Sequence, residues 1–465
     1  MAYTLGASVT YSDIVLLYMR HASPNIILII AGNLGWGELG CYGGGVLCGA
    51  PTPNIDRLAS QGLRLLNFNV EYDRAPTRAA LMSGRHPVRT GCVHVVPQGL
   101  PVGLNRNEIT LAQLLAGRGY ATAHFGHWYL GDIPGRLPID RGFDEWYGIA
   151  GQAAEQAHAQ ASIMAAPHIL RGRKGKPSHS VKPYTRHAHR WLQASVVERS
   201  IDFIRREQAR GQPFFLYASL AHLGISALPH PDFEGRSGVG DVADCRMELD
   251  HRVGQIVDAV DSLGMAQDTV IVFCSDSGPE YRLPHRGTAG PWSGSYRTAL
   301  EGGLRVPFIA RWPGRIAPSQ CSNEIVHVTD LFTTLASMGG VLPPGDRPID
   351  GRDQTAFLTG AAQRSARDGF LHYAGNALRA VKWRDWKLHF NWKPKPEAEA
   401  AELASPYLFN LLSDPKEESD VLMFNTWIMS PMLRMISAFG DTVRQHPHTV
   451  PGAPDVDSIA ALLQR

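Results

Sequence analysis

Apolar residues in this chain fall into two alternating patterns. One is a set of short uninterrupted runs: residues 24–30, with Ile26, Ile27, Leu28, Ile29 and Ile30 in succession, residues 213–217, and residues 269–274. Runs of this length, rich in branched and aromatic side chains, predict strands buried on both faces. Strand-like patterns also cover 63–70 and 120–125. Between them lie segments with helical spacing at 52–59, 109–118, 195–208 and 241–263, the last carrying Met247, Val253, Ile256, Val257 and Val260. Strands alternating with helices predict an α/β fold with a mostly parallel sheet covered on both faces. The loops after the strands, at 31–37, 126–132, 221–224 and 275–280, then line the crevice at the carboxyl edge of the sheet, where open α/β folds hold ligands.

Residues 151–190 are polar, rich in His and Lys, and poorly periodic; they predict a surface excursion near the mouth of that crevice. The composition turns to Pro and Gly near 344–350, a linker signal. Beyond it, 378–383 and 386–390 flank the tight turn Arg384-Asp385, a hairpin pattern, and 407–411 adds a further strand. The predicted organisation is an N-terminal extension (1–23), an α/β domain (24–345) and a C-terminal subdomain (346–465) with an antiparallel hairpin and a closing helix.

Residues 73–85 stand out within the α/β domain. Pro76 suits the first turn of a helix, Ala79, Ala80, Leu81 and Met82 propagate it, and Gly84 ends it. The start of such a helix presents N–H groups and a positive dipole end, an anion site in waiting.

Composition changes this picture little. With 44% hydrophobic and 19% charged residues, the 465-residue chain has the make-up of an ordinary globular protein. A formal net charge of +2 gives no reason to invoke nucleic acid or a membrane surface. The six cysteines lack paired metal spacing, which favours free thiols in a reducing compartment over a disulfide between Cys41 and Cys48. Residues 1–23 have no basic start followed by a long apolar core, so no secretory signal is expected and the cytoplasm is the predicted location. No run approaches the roughly 18 apolar residues of a spanning helix.

Several tags occur in a consistent order: Leu34-Gly35-Trp36-Gly37, Thr52-Pro53-Asn54-Ile55-Asp56-Arg57-Leu58, residues 73–85, Asp140-Arg141-Gly142-Phe143-Asp144, Met247-Glu248-Leu249-Asp250 and Glu301-Gly302-Gly303 with Arg305-Val306-Pro307. Together they resemble the sulfatase family of the alkaline-phosphatase superfamily. The resemblance implies an alkaline-phosphatase-like α/β/α sandwich with a mostly parallel central sheet, a smaller C-terminal antiparallel subdomain, a formylglycine nucleophile made from Cys or Ser, and a calcium ion beside it. It also implies hydrolysis of a sulfate ester to an alcohol and sulfate.

The working positions of that family depart from its pattern here. Arg74 stands where Cys or Ser is oxidised to the nucleophile. The paired aspartates that ligate calcium after the first strand become Gly32 and Asn33; of the later Asp-Asn pair Asp276 is kept and Ser277 replaces Asn. His127 and Tyr129 replace the sulfate-binding Lys and catalytic His, Gly224 replaces the leaving-group acid, with His222 two positions early, and Tyr296 replaces a further Lys. Calcium needs roughly 6–8 oxygen ligands, and one carboxylate is a poor start, so neither calcium nor formylglycine is expected.

Thr77 lies three residues beyond the nucleophile position and is read as support for the helix start; His124, His127 and Tyr129 lack an activated nucleophile to assist. Arg78 is read equally as a structural arginine or an anion ligand. Arg74 is expected near Asp276, in space a metal would fill, because a lone buried charge costs several kcal/mol. Arg74, Arg78 and His127 form the candidate anion site, for a small anion or a sulfate ester. The resulting expectation is a non-hydrolysing sulfatase-like protein with residual anion binding; the alternative is an active arylsulfatase-type hydrolase with a rearranged site.

Overall fold

A computed structural model describes residues 23–95, 99–151, 167–224 and 227–447. The expected N-terminal extension lies outside the described residues except for Ser23, and so does much of the excursion, residues 152–166.

The strands of the larger sheet are β1 (Asn25–Ala31), β2 (Leu63–Asn69), β3 (Ala121–His127), β4 (Glu145–Ile149), β5 (His168–Arg173), β6 (Lys176–Pro183), β7 (Phe214–Leu220), β8 (Thr269–Ser275), β9 (Arg305–Arg311), β10 (Gln320–Ser322) and β11 (Val326–His327). They run in the order β10-β2-β9-β8-β1-β7-β3-β4-β5-β6, with β11 also on β2. The centre, β8-β1-β7-β3-β4, is parallel. β9 runs antiparallel to both β8 and β2, and β5 and β6 continue the far edge antiparallel. The helices are α1 (Pro53–Ser60), α2 (Arg74–Ser83), α3 (Leu111–Gly117), α4 (Arg186–Arg210), α5 (Asp241–Ser262), α6 (Val328–Met338) and α7 (Met429–Gln445), with shorter turns between them.

The apolar run of β1 is explained by its two faces. Ile26, Leu28 and Ile30 enter one core with Ala79, Leu81 and Met82 of α2 and Leu331 and Phe332 of α6. Ile27 and Ile29 enter the opposite core with Val196 and Ile204 of α4 and Val253 and Ile256 of α5. Each such side chain contributes about 1.5–3 kcal/mol on burial, so a central strand has no polar face to spare.

A smaller antiparallel sheet holds β12 (Gly369–Ala374), β13 (Ala377–Trp383), β14 (Trp386–Trp392) and β15 (Ala401–Asn410), turning through Arg384, whose φ is 51°. Its core of Leu371, Val381, Leu388 and Leu408 is closed by Ile428 and by Met432 of α7. Buried charge joins the sheets. Lys382 Nζ of β13 lies 2.6 Å from Glu301 Oε2 and donates to Asn67 and Asn69 of β2; Lys387 Nζ of β14 lies 3.0 Å from Glu301 Oε1.

Three elements differ from their sequence patterns. Within the polar segment read as an excursion, His168–Arg173 and Lys176–Pro183 form the β5–β6 hairpin, because an edge ribbon needs little apolar surface on its outer face. α4 begins nine residues earlier than its apolar spacing indicates, where Thr185 caps it by accepting the Ala188 N–H. The Pro/Gly stretch before 350 is not a free linker: Asp350 receives Arg89 Nε at 2.8 Å, and the Asp350 and Gly351 N–H groups both donate to the Gly84 carbonyl. All six cysteines are free thiols. No helix among the described residues is long and apolar enough to cross a membrane.

Candidate active site

β2 delivers the chain to α2, whose ten residues are all buried between the sheet and α6. Asp73 is its N-cap, accepting the Arg74 N–H at 2.7 Å, and Gly84 closes it in the left-handed conformation at φ 69°. The cap puts a carboxylate of this chain at the helix start. The same carboxylate accepts the Tyr296 hydroxyl at 2.7 Å and Arg297 Nε at 3.0 Å. Sequence reasoning passed over Asp73, although an Asp just ahead of a helix with Pro in its first turn is itself a cap signal.

Arg74 is 7% exposed. Its guanidinium donates to the Tyr296 hydroxyl, 3.2 Å from Nη2, and lies over two aromatic rings, with centroids at 5.1 Å (Tyr296) and 5.6 Å (Tyr129). One turn on, Arg78 lies over the same Tyr129 ring at 5.0 Å. Its Nε and Nη2 take Asp276 Oδ2 at 3.2 and 2.8 Å, and its Nη1 donates to the His127 carbonyl, the Tyr217 hydroxyl and Ser219 Oγ. Arg78 and Asp276 are both fully buried. The two residues that match the family's working pattern thus spend their charge on each other, and β7 supplies the acceptors Tyr217 and Ser219, which the sequence pattern had not singled out.

Asp276 Oδ1 accepts the Asn33 N–H at 3.1 Å and the Ser277 hydroxyl at 3.2 Å. Asn33 is held at φ 55°, and neither atom of its buried side-chain amide has a partner among the described residues. A Cβ on Gly32 would sit 3.5 Å from Ala221 Cα, so the position has room for a side chain but offers no donor atom. The calcium cage of the sulfatase pattern therefore does not fit: its one carboxylate is engaged on both oxygens, by Arg78 and by two internal donors. Formylglycine does not fit either, since Arg74 has neither thiol nor hydroxyl to oxidise.

His127 ends β3, fully buried, with its ring stacked on Tyr129 at 5.5 Å and no hydrogen-bond partner for either nitrogen among the described residues. Burial first, then the positive charge of Arg78, pushes its pKa well below the ordinary histidine range, so it is a neutral imidazole. His124 is likewise held neutral by burial, wedged among Trp128, Phe143 and Tyr217. Burial also raises the Tyr129 hydroxyl, which stays protonated. Gly224, at φ 148°, borders Asn33: a Cβ there would be 3.7 Å from Asn33 Oδ1. His222 faces Glu248 instead, at 3.7 Å. Thr77 Oγ1 donates to the Glu71 carbonyl at 3.2 Å, bracing the helix start. The structure thus brings Arg74, Arg78, His127, Tyr129, Tyr296, Asp276, Asn33 and Ser277 to the carboxyl edge of the sheet.

Against known proteins, the sulfatase profile matches residues 24–341, and that of the C-terminal region of aryl-sulfatase matches residues 365–460. N-acetylgalactosamine-6-sulfatase of Sus scrofa is 32% identical, over 93% of this chain and 88% of its own length. Arylsulfatase A of Homo sapiens is 33% identical, over 86% of this chain and 83% of its own. Among solved structures, the PsFucS1 sulfatase of Pseudoalteromonas sp. superposes with a TM-score of 0.88 at 31% identity, covering 94% of this chain and 93% of that one. Scaffold, strand order and both matched regions lead to one conclusion: this chain belongs to the sulfatase family.

Proposed function

We propose that this chain is a non-hydrolysing member of its family that retains a pocket for a small oxyanion or a sulfated saccharide. The observation that carries the proposal is the fully buried Arg78–Asp276 pair, with Arg74 one helical turn away. A sulfatase mechanism needs an attacking group and an ion to polarise the ester. Here the attacking position is a guanidinium, and the acidic position is a partner for arginine. Oxyanion binding is supported by Arg74 at the sheet edge and by the buried, partnerless polar atoms of Asn33 and His127, which stay costly until a ligand pairs with them. A cleft of about 490 Å³ is lined by Glu280, Trp292, Ser295 and Lys395, Ser295 directly preceding Tyr296 in the chain. The named activities of the relatives, on N-acetylgalactosamine 6-sulfate above all, suggest a sulfated sugar as the larger ligand.

The test joins three measurements on purified protein: bound calcium by elemental analysis, turnover of aryl sulfate and aryl phosphate, and calorimetric titration with sulfate and a sulfated galactosamine. The expected result is no calcium, no turnover and saturable heat that Arg74→Ala abolishes. Turnover that survives removal of trace contaminating hydrolase overturns the proposal in favour of a rearranged hydrolase. Absence of heat with every ligand removes the binding half.

A further inference from the structure

Near the start of α2, where Thr77 Oγ1 donates to the Glu71 carbonyl, three buried side chains converge. Glu71 follows β2, His86 follows α2, and His327 ends β11. Glu71 Oε1 lies 3.2 Å from His86 Nδ1 and 3.8 Å from His327 Nε2, and the three ligand atoms all fall within 4.8 Å of one another. Two donor atoms bound tetrahedrally to one zinc ion, each about 2.0–2.1 Å from it, are separated by about 3.4 Å. The cluster is close to that spacing without any movement of backbone.

We propose that Glu71, His86 and His327 form a binding site for a divalent transition-metal ion, zinc by ligand type, distinct from the calcium position of the family.

Three features support it beyond proximity. His327 Nε2 is buried, faces Glu71, and has no hydrogen-bond partner among the described residues. A partnerless nitrogen at this depth is a cost that a metal bond removes. The opposite nitrogen, Nδ1, lies 2.9 Å from Thr329 Oγ1 and 3.4 Å from the Thr329 N; when Nδ1–H donates to that hydroxyl, Nε2 keeps a lone pair for the metal. The nearby cations do not oppose an incoming ion with free charge, because Arg367 is paired with Asp330 and Lys382 with Glu301. One carboxylate and two imidazoles suit zinc better than calcium, which prefers an all-oxygen shell.

The position of the site indicates its role. The His86 ring packs edge-on against Phe439 of α7, with centroids 5.8 Å apart, and the His327 ring stacks on Phe370 of β12 at 4.7 Å. An ion held here ties α2 and β11 at the point where the C-terminal helix and the small sheet dock. It acts as a structural fastener, with no catalytic duty.

The experiment uses untagged full-length protein stripped with a chelator, dialysed against zinc and assayed for bound metal, with cobalt(II) substituted for its visible absorption bands. Expected are one tightly held equivalent of zinc, a cobalt spectrum of low coordination number, a zinc-dependent rise in thermal midpoint, and loss of all three in Glu71→Gln and in His327→Gln. Thr329→Val keeps the site but weakens it by about 10–100-fold. X-ray absorption at the zinc edge of the wild type shows two imidazole ligands, a readout that does not require the variants to fold. A stripped wild type that takes up no zinc overturns the proposal. So does zinc uptake unchanged in both variants, or removed by Asp276→Asn in place of them.

Discussion

Replacing Asp276 by Asn tests the central reading, because the site makes an unusual demand on that residue. In a calcium-dependent relative the change would remove a metal ligand. Here it removes the carboxylate paired with Arg78, which is fully buried. Arg78 keeps three neutral acceptors, the His127 carbonyl, the Tyr217 hydroxyl and Ser219 Oγ, so its hydrogen bonds survive but its charge is uncompensated. Breaking one partner out of a buried pair costs about 3–5 kcal/mol, and those acceptors place this case near 3 kcal/mol. Unfolding entropy of about 2.1 cal/mol/K per residue over 465 residues makes that a fall of about 3 °C in thermal midpoint if the chain unfolds as one unit. Differential scanning calorimetry should show the drop equally with calcium or with chelator present. Arg78→Met should be of similar size, and the double variant with Asp276→Leu should fall short of the sum by about 1–3 kcal/mol, the coupling of contacting residues. The reasoning fails if Asp276→Asn costs under about 1 kcal/mol, or if calcium raises the wild-type midpoint and the variant loses that rise.

Arg74→Cys, expressed with a formylglycine-generating enzyme, should gain no turnover on aryl sulfates, because Gly32, Asn33 and Ser277 still fail to build the ion site; a measurable rate would show that the nucleophile alone was missing. Glu248 is buried, which would raise its pKa, yet His222, the His230 N–H and Arg252 outweigh that and hold it down to about 2. A depressed carboxyl stabilises the fold above its unfolded pKa of 4.5 and loses that contribution as pH falls towards 2. Acid titration of stability between these values should therefore show a loss of about 3 kcal/mol that Glu248→Gln flattens. Gly84→Ala should destabilise by about 1–3 kcal/mol in chemical unfolding, since φ is 69° and the new methyl would meet Phe332 Cδ1 at 2.4 Å; a neutral result would mean that the helix end relaxes freely.

The strands were legible because their burial is two-sided: the Ile run of β1 has no polar face and can only be a centre strand. The edge hairpin β5–β6 was not, since its outer strand shows no buried position and reads as polar coil. The family resemblance pointed to Arg74, Arg78, His127, Tyr129, Tyr296 and Asp276, which the fold brings to one edge of the sheet, but not to Asp73, Tyr217 or Ser219. It gave no information on how the replacements pair. Arg78 and Asp276 could be read as relics of an ion-and-sulfate site, whereas the fold makes them partners, a fact that depends on the 198-residue separation being closed by β8 alongside β1. Asp73 answers to no position of the family pattern; its role comes from capping α2 and from accepting Tyr296 and Arg297, which lie more than 220 residues away. The Glu71–His86–His327 cluster is assembled from three separate segments, with no short-range spacing to announce it.

Lys382 and Lys387, reaching from the small sheet into Glu301 beside the large one, have a consequence for how the chain is cut or inherited. Severing the polypeptide where its composition turns to proline and glycine would take both lysines from Glu301, leaving it with Arg305, and would leave Lys387 with Glu417 and Lys382 without its carboxylate. A nicked chain should therefore stay in one piece through native gel filtration, and neither fragment should persist when made alone. The two matched regions share one fate.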